Sequence, residues 1–222
     1  MQANKPIRIP PLRYFQLMEL VKFYKPSTML EVGCWDGEHG TQMCMAALAS
    51  HDSNVHYTME SISEAFNKCF VSDFIFSISR TIKDKIALKF DALTMEFPHR
   101  FTYKLIRGDT NYTMKEHVVD FAFLDGGHSV GTVQNDYAKS NMSKVIVFDD
   151  YFTEDVEGHI PEVSYLGTNV VVDAILDKAK WVFPSNDPVR EGGITHLAVI
   201  VNEGAAPPNK DVLLVPLLIS NG

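Results

Sequence analysis

Five short apolar runs, each closing on a glycine or an acidic residue, constrain this chain more than any other feature. They are TMLEVG (28–33), NVHYTME (54–60), FTYKLIRGD (101–109), VVDFAFLDG (118–126) and KVIVFDD (144–150). Each is too short for a buried helix and too continuously apolar for a strand with one wet face, so each reads as a strand covered on both sides. Helix-period sequence separates most of them. EHGTQMCMAALAS follows the first run, and SISEAFNKCFVSDFIFSISR (61–80) follows the second, with Ser61 and Glu64 at capping-box spacing. VGTVQNDYAKSNM (130–142) lies between the fourth and fifth and puts Val130, Val133 and Tyr137 on one face. The segment 81–100 reads as partly helical. Strands alternating with helices predict a parallel sheet with helices on both faces.

Flanking segments extend this plan. PLRYFQLMELVKFYKP (11–26) spaces Leu17, Leu20 and Tyr24 as a helix that Pro26 would stop. TNVVVDAILDKAK (168–180) reads as a further helix, WVFP (181–184) as a strand and THLAVIV (195–201) as a strong strand. With no linker or repeat, the expectation is one domain over 1–222. It comprises a helical extension (1–26), a core (27–202) and a tail (203–222) whose DVLLVPLLIS is apolar enough for an added strand or an oligomer contact.

Composition excludes several classes. The formal net charge is −8 and there is no basic run, which argues against nucleic acid as a partner. No apolar run reaches the ~18 residues of a membrane span, and the N-terminus lacks a signal-peptide core. Three cysteines without a CxxC pair suggest neither disulfides nor a zinc knuckle, and point to a reducing, cytoplasmic compartment.

In a parallel α/β sheet ligands bind at the carboxyl ends of the strands, so the residues after each run matter most. The first is followed by EVGCWDGEHG, with glycines 33, 37 and 40 spaced unlike the G-x-G-x-x-G fingerprint. Glu31, inside the strand, is costly to bury unless paired, and a cationic ligand group or a water held by one would serve. Glu60 can accept from both hydroxyls of a ribose, or simply favour a helix N-terminus. Asp109 and Thr110 can meet a base edge, or form an Asx-type turn. Asp125 and the pair Asp149–Asp150 converge if the fourth and fifth strands are neighbours. Three carboxylates without basic residues nearby favour a hard divalent cation, Mg²⁺ or Mn²⁺, over a solvated acidic rim. His128, after a Gly-Gly turn, suits proton removal at neutral pH.

The order EVGCWDGEHG, an acid after the second strand, RGDT, FAFLDGGHSVGTVQND and VIVFDDYF resembles the class I S-adenosylmethionine-dependent methyltransferases. Within them it is most similar to small-molecule O-methyltransferases of the macrocin type, whose DGxHxxxxVxxD segment is matched by Asp125, Gly126, His128, Val133 and Asp136. The resemblance covers roughly 27–202. It implies a Rossmann-like seven-stranded α/β sheet, mostly parallel, with one antiparallel strand for which THLAVIV is the candidate. It implies S-adenosyl-L-methionine as cofactor, with Glu31, Gly33 and Gly37 cradling its methionine part, Glu60 on the ribose, Asp109 and Thr110 beside the adenine, and Cys34, Trp35 and Asp125 also among the cofactor-binding residues. Asp125, Asp149 and Asp150 match the metal positions of cation-dependent members, and His128 with Asp125 the catalytic ones. Departures are Trp35 and Asp36 in the glycine loop, and NMSKVIVF where a Gly-Gly turn usually precedes the fifth strand. The expected activity is O-methylation of a hydroxyl on a small molecule or sugar, with a homo-oligomer compatible with the tail. The segment 151–167 and the N-terminal helix are expected in the substrate wall. The alternatives are a metal-independent methyltransferase, another cofactor-dependent enzyme of this fold such as a hydrolase, and an inactive cofactor-binding or assembly protein.

Overall fold

A computed structural model describes residues 11–34, 37–61, 86–155, 157–188 and 193–208. Residues 62–80 of the proposed 61–80 helix, Trp35 and the apolar tail lie outside the described residues. Seven strands form one sheet: β1 (Thr28–Val32), β2 (Val55–Ser61), β3 (Phe101–Arg107), β4 (Phe121–Leu124), β5 (Val145–Thr153), β6 (Ala179–Pro188) and β7 (Ile194–Val201). Their order is β3-β2-β1-β4-β5-β7-β6. Strands β1 to β5 pair in parallel, and β7 runs antiparallel to both β5 and β6. This is the Rossmann-like methyltransferase sheet expected, with THLAVIV as its antiparallel strand.

Strand alternation divides the core in two. Met29, Phe121, Phe123, Val145, Val147, Leu197 and Val199 belong to one buried cluster, while Leu30, Val32, Ala122, Leu124, Ile146, Phe148, Ala198 and Ile200 belong to the other. That is the period of two sending neighbours to opposite faces. Helices α1 (Leu12–Tyr24), α2 (Glu38–Ser50) and α3 (86–96) cover the first face through Leu17, Leu20, Met43, Cys44, Ile86 and Phe90. The short α4 (Thr110–Thr113) precedes β4; α5 (Val130–Ser140) and α6 (Gly167–Ala174) cover the second face through Val133, Val171 and Val172. Each fully buried large apolar side chain contributes about 2 kcal/mol of transfer free energy.

Some element bounds differ from expectation. Helix α6 ends at Ala174 and β6 begins at Ala179, two residues before WVFP. Strand β5 does not stop at Asp150 but continues to Thr153. Its pairing with β7 shifts between Phe148 and Tyr151, and Asp150 has φ 58°. One extra residue on β5 therefore makes a bulge there, and an aspartate is among the few non-glycine residues that tolerate this backbone. No helix among the described residues is long and apolar enough to cross a membrane.

Candidate functional site

The strand register brings the expected residues into one row. Val32 lies opposite both Glu60 and Leu124, and Leu124 lies opposite Phe148. The residues at or just beyond these positions, Gly33, Glu60, Asp125 and Asp149, thus line up across four adjacent strand ends. Gly33 makes the row tight. Its φ is +82°, its N–H donates to the Glu60 carbonyl at 2.8 Å, and a Cβ there would collide with the Asp125 carbonyl. The loop after it closes through a Gly37 N–H bond to the Cys34 carbonyl at 2.6 Å, with Cys34 buried. Gly37 then leads into α2 at φ +76°.

Glu31 is fully buried, and on β2 the Tyr57 hydroxyl donates to its Oε2. Gly40 lets α2 approach this pair, because a Cβ would strike both Tyr57 and Glu31. Burial first, then the Glu31 charge, holds the Tyr57 phenol well above its usual pKa. Glu60 differs. It is 1% exposed; Oε1 meets His117 Nε2 at 2.8 Å, while Oε2 has no hydrogen-bond partner among the described residues. His117, in the loop before β4, carries no sequence signal for this role; only the fold places it there. Asp109 caps α4 by accepting the Asn111 N–H at 2.8 Å, which is the turn alternative, and Thr110 is buried behind it.

A cleft opens where β4 and β5 end, lined by Asp125, Gly126, Gly127, His128, Asp149 and Asp150. The bulge in β5 is what lets both aspartates reach it. His128 Nδ1 lies 3.1 Å from Asp150 Oδ2, and the imidazole is 40% exposed. Tyr165 stands beside it, ring centroids 5.6 Å apart, and the Gly167 N–H donates to the His128 carbonyl at 3.1 Å. The expected wall segment 151–167 therefore does border the cleft at its far end. Thr195 Oγ1 donates to Asp150 Oδ1 at 3.2 Å. Burial tends to raise the Asp150 carboxyl, but the His128 bond and charge, the Arg13 charge and the Thr195 bond together hold it below the usual range.

The premise that no basic residue stands near these carboxylates is corrected by Arg13. Its Nε donates to Asp149 Oδ1 at 2.8 Å and Oδ2 at 3.1 Å, from α1. Burial, then the Asp150 charge, push the Asp149 carboxyl up to about 6 against the pull of Arg13. Asp125, raised by burial and by the two neighbouring aspartates, has His39 Nδ1 at 4.0 Å. Tyr14 bridges these groups: its ring lies tilted against that of His39, centroids 3.8 Å apart, and its hydroxyl accepts from Arg13 Nη2 at 3.1 Å. Among the described residues, no group of three or more His, Cys, Asp or Glu is placed to hold a metal ion.

No family model and no curated protein matches the chain. Solved structures do match its fold. An O-methyltransferase from Bacillus cereus in complex with SAH is 13% identical with a TM-score of 0.52, the match covering 89% of this chain and 84% of that one. The O-methyltransferase TomG from Streptomyces achromogenes, involved in tomaymycin synthesis and solved in complex with SAM, is 14% identical with a TM-score of 0.53, covering 84% and 78%. A putative caffeoyl-CoA O-methyltransferase from Staphylococcus aureus is 13% identical with a TM-score of 0.55, covering 88% and 85%. At such identities the likeness establishes the shared fold.

Proposed function

We propose that the protein is an S-adenosylmethionine-dependent methyltransferase acting on a hydroxyl of a small molecule or sugar. The observation that carries this is Glu60 Oε2, a buried carboxylate oxygen with no hydrogen-bond partner among the described residues, at the second strand end beside the Gly33 turn. Burying an ionisable oxygen unpaired is costly, and two vicinal ribose hydroxyls are the partners that position suits. The residues thus fit the cofactor: Glu60 for the ribose, Gly33, Cys34 and Gly37 for close backbone approach to the methionine part, Thr110 and Asp109 beside the adenine.

When bound, the cofactor supplies an electrophilic methyl group on a sulfonium. The chain's own residues handle the acceptor. With Nδ1 facing the Asp150 carboxylate, His128 keeps its proton on Nδ1 and presents Nε2 as the acceptor. The acceptor O–H would give its proton to Nε2, leaving its oxygen prepared for the methyl group that the cofactor would supply. Tyr165 and the turn 126–128 hold the acceptor near that nitrogen and exclude water, which is orientation rather than covalent catalysis. A divalent cation held by Asp125, Asp149 and Asp150 does not fit these side chains as they stand, because Arg13 occupies Asp149 and His128 occupies Asp150.

Calorimetry on wild type and Glu60→Ala tests the reading. Wild type should bind S-adenosylhomocysteine at least ~10-fold more tightly than its counterpart lacking both ribose hydroxyls, a preference that Glu60→Ala abolishes. Equal affinity for the two compounds in wild type would remove the ribose role and the reading that rests on it.

A further inference from the structure

We propose that Arg13 is the resident cation of the acidic cleft: its guanidinium holds the place among Asp125, Asp149 and Asp150 that a divalent metal would otherwise take. Methyl transfer then proceeds without a metal, a consequence that rests on the methyltransferase reading, whereas the placement of Arg13 does not.

The carboxylate oxygens themselves carry the argument. Asp149 Oδ1 accepts from Arg13 Nε at 2.8 Å and from the Asp150 N–H at 2.9 Å, and Oδ2 accepts from Arg13 Nε at 3.1 Å. Asp150 Oδ1 accepts from Thr195, and Oδ2 faces His128 Nδ1. All four oxygens of the pair are engaged, and the guanidinium on Asp149 puts a like charge where a hard cation would sit. A guanidinium is charged at every accessible pH, so it neutralises permanently where an imidazole would not.

Arg13 is also fixed by its helix. Helix α1 has no acidic residue in its first turn and no cap of its own. Asp187 of β6 does that work from across the sheet, accepting the N–H groups of Leu12 and Arg13 at 2.8 and 2.9 Å. Arg13 Nη1 lies 3.5 Å from the same carboxylate, and Gln16 Nε2, one turn on, donates to the Pro184 carbonyl at 2.6 Å. The side chain is 13% exposed and its guanidinium lies 4.6 Å from the Tyr14 ring centre. A metal could enter only by expelling a side chain whose backbone is tied to β6.

Manganese titration, read by the electron paramagnetic resonance of free Mn²⁺, tests this without any turnover. Wild type should bind no Mn²⁺ up to about 1 mM, the weak end of oxygen-ligand sites. Arg13→Met keeps an apolar stem and removes the charge, and should gain one Mn²⁺ per chain, lost again when Asp149→Asn is added. Should Arg13→Met fail to fold, Arg13→Gln serves in its place. Stoichiometric Mn²⁺ on wild type that Asp149→Asn abolishes would overturn the proposal, as would folded Arg13 variants that gain no Mn²⁺. Cofactor calorimetry on the same samples keeps the two readings apart: failure to bind S-adenosylmethionine would sink the methyltransferase reading and leave the Mn²⁺ result standing.

Discussion

At the scale of single residues, Gly33, His128, Asp150 and Arg13 shape the site. Gly33 adopts φ +82°, and a Cβ would meet the Asp125 carbonyl. Gly33→Ala should therefore cost more than about 2 kcal/mol in urea unfolding, from strain and a backbone clash that no rotamer relieves. An unchanged midpoint would show that the β1 and β4 ends are farther apart than described. In the proposed mechanism Asp150 fixes which His128 nitrogen faces the acceptor. Asp150→Asn should lower kcat by roughly 100-fold while KM for the acceptor stays nearly constant. A matching rise in KM with intact kcat would make Asp150 a binding residue instead. The paired aspartates stood out in sequence because adjacent carboxylates after an apolar run have no packing purpose. Arg13 did not stand out: it lies 136 residues from Asp149, and nothing near it in sequence points there.

At the scale of elements, irregularity places the chemistry. Had β5 stayed regular, Asp149 and Asp150 would face opposite sides of the sheet. The bulge between Phe148 and Tyr151 turns both towards the cleft. Sequence alone read this as a strand end, since a one-residue insertion is visible only against the partner strand, and β7 arrives almost fifty residues later. The same strand pair carries a titratable group. His196 on β7 is buried, meeting Thr153 Oγ1 at 2.7 Å and accepting the Ser185 N–H on Nδ1 at 3.0 Å. Burial lowers its pKa from 6.5, outweighing Phe183 and Asp187. The unfolded chain then binds the proton more readily. The stabilisation is complete above the unfolded value and is lost as pH falls through the lowered folded value. Below pH 6.5 the wild-type urea midpoint should therefore fall relative to that of His196→Gln. An equal slope in the variant would assign the acid sensitivity elsewhere.

At the scale of the whole molecule, the parallel α/β plan was legible from apolar runs of the right length, and the antiparallel strand from the resemblance, whereas the strand order was not. The continuous apolarity of those runs also predicted two buried faces, and the two core clusters lie on them. The row of Gly33, Glu60, Asp125 and Asp149 follows from that sheet almost without further information, because parallel register puts consecutive strand ends level. What sequence could not supply was how α1, expected in the substrate wall, is held at the cleft. That depends on Asp187 of β6 capping a helix near the other end of the chain. Solved O-methyltransferases share the sheet at 13% to 14% identity, so the chemistry must be tested on this chain's own residues.

The most direct test is a calorimetric titration of the wild-type chain with S-adenosylmethionine in the absence of added metal. Saturable binding of one molecule per chain, unaltered by EDTA, is the predicted result. No binding with or without Mg²⁺ would contradict the central claim.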